Sequence, residues 1–173
     1  MSAIRLRALC LKDAPLMLEW MGDPAINKFF RFDAKNATVS SVESYIRTSW
    51  EEKTNLHLAC VDENDEYLGT VSLKNIDSDN KNAEFATSFR ASAQGSGAAA
   101  QAARQLLARG FDELSLHRIY LNVLEDNGRA IAFYEKLGFV REGVFRKHLV
   151  LNGIARDLVV YGMLYGELNE QFK

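Results

Sequence analysis

The sequence predicts a single α/β domain with a mixed central sheet flanked by helices. Short segments of alternating apolar residues, typical of strands, occur in both halves of the chain, and segments of helical spacing stand between them. A strand, a helix and a strand follow one another over residues 83–124, and such a crossover requires two parallel strands. Asn152-Gly153 is the dipeptide best suited to a type I′ hairpin turn, so antiparallel strands are expected near the carboxyl end. The chain of 173 residues has no break in composition, which predicts one domain over residues 1–173.

The first third of the chain predicts one strand and two helices. Apolar residues alternate with arginines over residues 4–8, which predicts a strand. Asp13 is placed to cap a helix that contains Trp20, and Pro24 interrupts that helix. A second helix is expected from about Ser40 to Glu52.

The middle of the chain predicts three strands and the crossover helix. Strands are expected at 56–61 and 67–73, joined by the polar turn 62–66 as an antiparallel hairpin. A third strand from about Ala83 to Phe89 leads through a glycine-containing loop into an alanine-rich helix at 98–111.

The last third predicts the second parallel strand, a capped helix and a closing hairpin. A strand is expected at 119–124, and Asp126 or Asn127 caps a helix that ends at Gly138. The hairpin strands are expected at 140–150 and 155–164.

Composition excludes several classes of function. An apolar fraction of 47% and a net charge of −2 are ordinary for a globular protein and argue against a nucleic-acid partner. No apolar run approaches the roughly 18 residues of a membrane span, so no membrane partner and a cytoplasmic location are expected. The two cysteines, Cys10 and Cys60, each stand in an apolar stretch and are expected to be reduced thiols, with no metal site. Homodimer formation is left open.

The stretch Gln94-Gly95-Ser96-Gly97-Ala98-Ala99 predicts a phosphate site. Small residues allow a sharp turn, and the helix that follows presents bare N–H groups and the positive end of its dipole. A dinucleotide-binding fold requires a third glycine where Ala100 stands, and a P-loop requires a Lys-Ser or Lys-Thr pair where Ala98-Ala99 stands. The alternative is an ordinary glycine-rich turn.

The same stretch resembles the acyl-CoA loop of the GNAT superfamily of N-acetyltransferases, whose pattern is Gln or Arg, two residues, Gly, one residue, then Gly or Ala. The segments 98–111, 113–119 and 127–139 resemble that superfamily in order and spacing. Arg5-Leu6-Arg7 and the Asn152-Gly153 hairpin are similar to the branch that contains ribosomal-protein N-terminal acetyltransferases and spermidine acetyltransferases.

The resemblance implies that acetyl-CoA lies in a cleft where strands 83–89 and 119–124 splay apart. Its pyrophosphate would rest on the backbone amides of the loop, and its pantetheine arm would pair with the end of the first strand as an added strand does. Asn127 would approach the same arm, and two cations on the following helix would face the phosphates. The cofactor-binding residues implied are Thr87, Ser88, Phe89, Gln94, Gly95, Ser96, Gly97, Ala98, Ala99, Ala100, Asn127, Arg129, Ala130 and Lys136.

The resemblance implies that Tyr134 is the general acid, because it stands where the superfamily carries that tyrosine. A phenol, with a reference pKa of about 10, can protonate a thiolate whose thiol titrates near 8.5. A backbone N–H near Ser88 or Phe89 would polarise the thioester carbonyl. The competing interpretation is that Tyr134 is a packed helix residue like Phe133.

The general base and the acceptor are less defined. Asn122 stands where some N-terminal acetyltransferases carry glutamate, which leaves Glu84 as a candidate base or as a carboxylate paired with a basic residue. Phe29, Phe30 and Phe32 line a pocket or belong to the core. Between residues 28 and 49 the acids Asp33 and Glu43 accompany the cations Lys28, Arg31, Lys35 and Arg47.

A polyamine site should be richer in carboxylates than this segment is. The first expectation is therefore an enzyme that acetylates a protein α-amine or a small primary amine by direct attack in a ternary complex. A polyamine or an amino-sugar nucleotide is the second candidate acceptor, and a non-catalytic acyl-CoA sensor is an alternative of another class. Tyr134 argues against the sensor, which needs no acid for a thiolate.

Overall fold

A seven-stranded sheet organises the chain in the computed structural model, which describes residues 3–30, 34 and 36–168. The side chains Arg31, Phe32, Asp33 and Lys35 lie outside the described residues, so their expected part in the acceptor site is not tested. In sheet order the strands are β1 (Arg5–Ala8), β2 (Leu56–Val61), β3 (Tyr67–Asp77), β4 (Asn82–Phe89), β5 (Arg118–Leu124), β7 (Ile154–Leu164) and β6 (Val140–Leu151).

Helices cover both faces of this sheet. They are α1 (Ala14–Gly22), α2 (Pro24–Asn27), α3 (Val39–Ser49), α4 (Ala98–Asp112) and α5 (Gly128–Leu137). Within the described part of the chain, no helix is both long and apolar enough to cross a bilayer.

The two central strands diverge, as the resemblance implied. Strands β4 and β5 run parallel and pair only at their beginnings, from Asn82 opposite Arg118 to Glu84 opposite Tyr120. Strand β4 stays paired with β3 through Phe89, so its other edge is open beyond Glu84. The mixed sheet with splayed parallel strands is therefore confirmed.

Each face of the sheet has its own apolar core. One core lies under α4 and α5 and includes Phe85, Leu106 and Ile119, with relative exposures of 2%, 0% and 0%. The other lies under α1 and α3 and includes Trp20 and Ile46. Because neighbouring residues of a strand face opposite sides, β2 and β3 contribute to both cores, while the buried apolar residues of β4 and β5 belong to the first.

The local signals at several element ends are confirmed. Asn127 caps α5 by accepting a hydrogen bond from the Ala130 N–H at 3.3 Å. Gly138 ends that helix with a φ of 99°. Asn152 and Gly153 have φ values of 50° and 76°, both positive as a type I′ turn requires.

Asp13 is the N-cap residue of α1, as expected, but its carboxylate has other partners. The Asp13 side chain makes no cap hydrogen bond to α1. Its carboxylate instead accepts two hydrogen bonds from the Arg7 guanidinium, at 2.7 and 2.8 Å, and one from the Cys10 N–H at 2.9 Å. The paired hydrogen bonds from the charged Arg7 guanidinium are stronger than a hydrogen bond from a helix amide, and they hold β1 against the start of the helical region.

Gly69 controls the position of β4, and its substitution provides the first prediction. A Cβ at Gly69 would lie 2.5 Å from the Phe89 ring and 2.6 Å from the Ser88 carbonyl oxygen. We expect Gly69→Ala to lower the free energy of unfolding by about 1–3 kcal/mol, because the backbone of β4 must move to make room. Urea denaturation measures the change. Gly22→Ala is the control, since nothing lies within 4 Å of its added Cβ, and equal stabilities of the two variants would contradict the prediction.

Candidate active site

The loop before α4 has the backbone that its glycines predict. Gly95 and Gly97 have φ values of 78° and 84°, in the left-handed region that side chains disfavour. Helix α4 begins directly at Ala98, and Gly97 at its N-cap offers no side chain to cover the first amides. The helix therefore presents the positive end of its dipole to whatever lies above the loop.

A cavity of about 790 Å³ opens at this loop, between the end of β4 and the helix α5. Twelve of the fourteen residues expected to bind the cofactor line it: Thr87, Ser88, Phe89, Gln94, Gly95, Gly97, Ala99, Ala100, Asn127, Arg129, Ala130 and Lys136.

Ser96 and Ala98 are the two expected residues that do not line this cavity. The Ser96 hydroxyl donates to the Ala93 carbonyl at 2.7 Å and accepts from the Ala98 N–H at 3.2 Å. The Ser96 side chain and the Ala98 amide therefore form hydrogen bonds within the turn. The Gln94 N–H likewise donates to the Ala91 carbonyl at 3.1 Å. The part of the loop that borders the cavity is therefore narrower than the sequence predicts, and it includes Gly95, Gly97, Ala99 and Ala100.

The charges around this cavity favour an anionic ligand. Among the described residues of its wall, four are cationic and one, Asp126, is acidic; the cations are Lys28, Arg104, Arg129 and Lys136. Arg129 donates to the Gln94 side-chain carbonyl at 2.8 Å and so joins α5 to the loop. Sequence reasoning missed Arg104, although it follows Ala100 by one helical turn and so shares its face of α4.

Tyr134 lies in the wall of the same cavity. Its ring makes edge-to-face contacts with Phe85, Phe133 and Phe139, at centroid separations of 6.3, 5.5 and 6.0 Å. These contacts fix the plane of the ring. The Tyr134 ring therefore packs as the competing interpretation expects, and the residue also borders the cavity, where a general acid would have to lie.

A second cavity, of about 670 Å³, lies on the opposite face of the sheet, under α1 and α3. Its wall combines apolar side chains, such as Trp20 and Met21, with polar ones from β2 and β3. Thr87 and Ser88 border both cavities. Because successive strand residues face opposite sides, Thr87 shares the face of Phe85 and Ser88 faces the second cavity. The two cavities therefore meet at the point where β4 leaves β5.

The aromatic pair Phe29 and Phe30 lies in the wall of the first cavity, not of the second. The Phe30 ring also packs edge-on against Trp20, with centroids 5.4 Å apart. The expected aromatic pocket is therefore on the cofactor side, among the residues that the structure describes.

Among the described residues, Glu84 does not line either cavity, and its assignment as the general base stays a prediction. It is 8% exposed, its carboxylate accepts from the Asn75 side chain at 3.1 Å, and Lys74 lies 3.9 Å away. Glu84 precedes Ser88 by four residues, about 13 Å along the strand. The contact with Lys74 fits the alternative interpretation, a carboxylate paired with a basic residue.

Sequence reasoning missed a polar cluster in the second cavity. His57 Nδ1 lies 2.7 Å from the Ser72 hydroxyl, and His57 Nε2 lies 3.5 Å from the Glu52 carboxylate. The Tyr45 ring packs against the imidazole with centroids 5.3 Å apart. Burial lowers the pKa of His57, against the opposing effect of Glu52, so the imidazole is neutral at pH 7.

Comparison with known proteins agrees with this geometry. The sequence profile of the acetyltransferase (GNAT) domain matches residues 3–140. The chain belongs to the GNAT family. It is therefore an N-acetyltransferase, and acetyl-CoA is its acyl donor. The first cavity, with its helix amino terminus and its surrounding cations, fits this donor.

Several members of the family are similar over much of the chain. An uncharacterized N-acetyltransferase, p20 of Bacillus licheniformis, is 28% identical over 95% of this chain and 94% of that protein. The putative ribosomal N-acetyltransferase YdaF of Bacillus subtilis is 35% identical over 57% of this chain and 54% of its own length. The spermidine N(1)-acetyltransferase of Escherichia coli K12 is 36% identical over 54% of this chain and 50% of its own length. This chain thus aligns with about half of each of the latter two proteins.

A solved structure extends the likeness to the whole fold. The spermidine N-acetyltransferase of Vibrio cholerae, crystallised in complex with CoA and spermine, superposes with a TM-score of 0.86 at 25% identity. The superposition covers 95% of this chain and 97% of that one.

Proposed function

We propose that this GNAT enzyme transfers the acetyl group to a primary amine that carries a single positive charge, such as the α-amine of a peptide. The observation that carries the proposal is the meeting of the two cavities at Thr87 and Ser88. A thioester in the first cavity and an amine in the second would come together there, from opposite faces of the sheet. The reaction is then a direct attack in a ternary complex.

The donor side follows from the residues of the first cavity. The amides of Gly95, Gly97, Ala99 and Ala100 would bind the pyrophosphate, with Arg104 and Lys136 near it. The open edge of β4 would pair with the pantetheine arm, whose amides match a strand partner. Asn127, Arg129 and Ala130 border the same path on α5.

The chemical step needs one donor for the carbonyl oxygen and one for the sulfur. An N–H of Ser88 or Phe89 would stabilise the oxyanion, because it lies on the unpaired part of β4. Tyr134 would donate its phenolic proton to the departing thiolate.

An acyl-enzyme on cysteine is not part of this proposal. Burial raises the pKa of Cys60 to about 12, so it is a thiol at pH 7. Cys10 donates from its Sγ to Asp13 at 3.4 Å, and burial raises its pKa as well. Neither cysteine borders the two cavities, as far as the described residues show.

The charges of the second cavity support an acceptor with one charge. Among its described wall residues, Glu52 is the one carboxylate, and it already faces His57. Lys74 adds a positive charge to the same wall. Glu84 lies 3.9 Å from this lysine and offsets part of its charge. A polyamine carries several ammonium groups, and the described wall offers them only the Glu52 carboxylate.

A polyamine is the second candidate because of two relatives. The Escherichia coli relative is named as a spermidine acetyltransferase, and the Vibrio cholerae structure is described with spermine. These names apply to those proteins, whereas the charge pattern of this chain supports the acceptor with a single charge.

A panel of amines tests the proposal. We expect kcat/KM for peptides with a free α-amine to exceed that for spermidine and spermine by at least about tenfold, since a tenfold ratio is only about 1.4 kcal/mol. Thiol release from acetyl-CoA measures the rates, and the same peptides with blocked amino termini are the control. The reverse order would favour the polyamine, and acetyl-CoA binding without turnover on any amine would favour the sensor.

A further inference from the structure

We propose that His57 accepts the proton that the acceptor amine releases, and that Ser72 conducts the proton to it. The inference rests on the proposed function, and it assigns the base that the sequence left open. It is carried by the position and the hydrogen bonding of the two side chains.

The sheet places His57 and Ser72 in line with the point of reaction. His57 pairs across the strands with Ser72, and Ser72 pairs with Ala86 of β4. Ser88 follows on the same face, two residues along β4. All four residues border the second cavity, and neighbouring strands are about 4.8 Å apart. Ser72 lies one strand across and two residues along from Ser88, roughly 8 Å between backbone positions, so bridging water would connect its hydroxyl to the amine.

The hydrogen bonds of His57 set the direction of proton transfer, from Ser72 to the imidazole. His57 Nε2 faces the Glu52 carboxylate at 3.5 Å, which favours the tautomer with the proton on Nε2. Nδ1 is then an acceptor, and the Ser72 hydroxyl at 2.7 Å donates to it. The His57 side chain is only 6% exposed, so bulk water has little access to the ring.

The proton balance closes without a further reagent. The neutral form of the amine attacks, after the ammonium has lost one proton to solvent; an α-amine titrates near about 7.7–8.0, so this form is present at pH 7. The nitrogen forms its bond to the carbonyl carbon and becomes acidic, and its proton passes through bridging water to Ser72 as the Ser72 proton moves to His57 Nδ1. The C–S bond then breaks, and the sulfur takes the proton of Tyr134. Exchange with solvent returns the imidazolium and the phenolate to their resting forms. Because an attached nitrogen is far more acidic than a free ammonium, a weak base is sufficient.

The charged groups around His57 keep it neutral before the reaction. Glu52, after α3, raises its pKa, while burial and Lys74 of β3 lower it, with a net decrease. Glu84 of β4 lies beyond Lys74, 3.9 Å from its ammonium group. Desolvation and the charge of Glu52 raise the pKa of Tyr45 on α3, so that phenol is neutral in the working range.

The test is chemical rescue of His57→Ala. We expect kcat at saturating substrates to fall by about 10²-fold, within the usual range for a general base, with unchanged affinity for acetyl-CoA by calorimetry. Added imidazole should restore part of the rate, since it can occupy the space that the side chain leaves. His148→Ala is the matched control, because His148 is exposed on β6 outside both cavities, and it should neither lose activity nor respond to imidazole.

The pH profile gives a second readout, which also serves if His57→Ala does not fold. The kcat of the unaltered enzyme should decrease below pH 6.5 as His57 becomes protonated, because its pKa lies below that value. Ser72→Ala should lower kcat by about tenfold or more, with acetyl-CoA affinity retained. A full kcat in Ser72→Ala, or a loss in His57→Ala that imidazole does not restore, would overturn the proposal. If the unaltered enzyme acetylates no amine at all, the proposed function fails instead.

Discussion

Tyr134→Phe is expected to lower kcat by about 10²–10⁴-fold while the affinity for acetyl-CoA stays the same. The substitution removes one hydroxyl and keeps the ring that packs against Phe85, Phe133 and Phe139. Ground-state binding of the donor is therefore preserved, and only the proton for the departing thiolate is lost. Thiol release gives kcat, and calorimetry with acetyl-CoA gives the affinity.

Tyr165→Phe is the matched control for this change. Tyr165 is 62% exposed and its ring packs against Phe111, outside the walls of both cavities. It should retain full activity. A kcat for Tyr134→Phe within about threefold of the unaltered enzyme would show that Tyr134 only packs, and that another group protonates the sulfur.

The sequence predicts well those features whose conformation is determined by residues close together in the chain. The cap at Asn127, the helix end at Gly138 and the Asn152-Gly153 turn each depend on local backbone geometry, and each is observed. The glycines of the donor loop belong to the same class, because Gly95 and Gly97 adopt the positive φ values that glycine permits. Most of the first cavity could be predicted because the loop and α5 carry such signals.

The second cavity could not be predicted in this way. Its polar cluster depends on the register that places His57 opposite Ser72, and no short-range pattern specifies which residues of two strands face each other. Glu52 joins them from the loop after α3, five residues before His57 in the chain. A lone histidine in a strand has no local feature that separates a packed side chain from a functional one.

Charge pairing explains what the carboxylates of Asp13 and Glu84 contact in the structure. Asp13 has the sequence context of a helix cap, and Glu84 has that of a base on the central strand. In the structure Arg7 holds the first carboxylate and Lys74 lies near the second. The partner of Asp13 lies on the preceding strand β1, and the partner of Glu84 lies opposite it on β3. Charge-assisted contacts of this kind prevail over a local preference worth about 1 kcal/mol.

Gly95→Val is expected to weaken acetyl-CoA binding by at least about tenfold, which corresponds to roughly 1.4 kcal/mol. A β-branched residue at a φ of 78° is strained by about 1–2 kcal/mol. If the chain keeps this conformation, the side chain enters open space, since nothing lies within 4 Å of an added Cβ. That space borders the donor cavity, where the pyrophosphate is expected. If the chain relaxes to negative φ, the amide turns away from the anion.

Gly166→Val separates this local effect from general strain. Gly166 has a φ of 97° in an exposed turn after β7, and nothing lies within 4 Å of its added Cβ. The two variants should therefore lose similar stability in urea denaturation, but only Gly95→Val should bind acetyl-CoA more weakly in calorimetry. Equal affinities of the two variants would mean that the pyrophosphate does not rest on this loop. The proposed position of the thioester near Thr87 and Ser88 would then lack support, because it depends on the loop holding the pyrophosphate of acetyl-CoA.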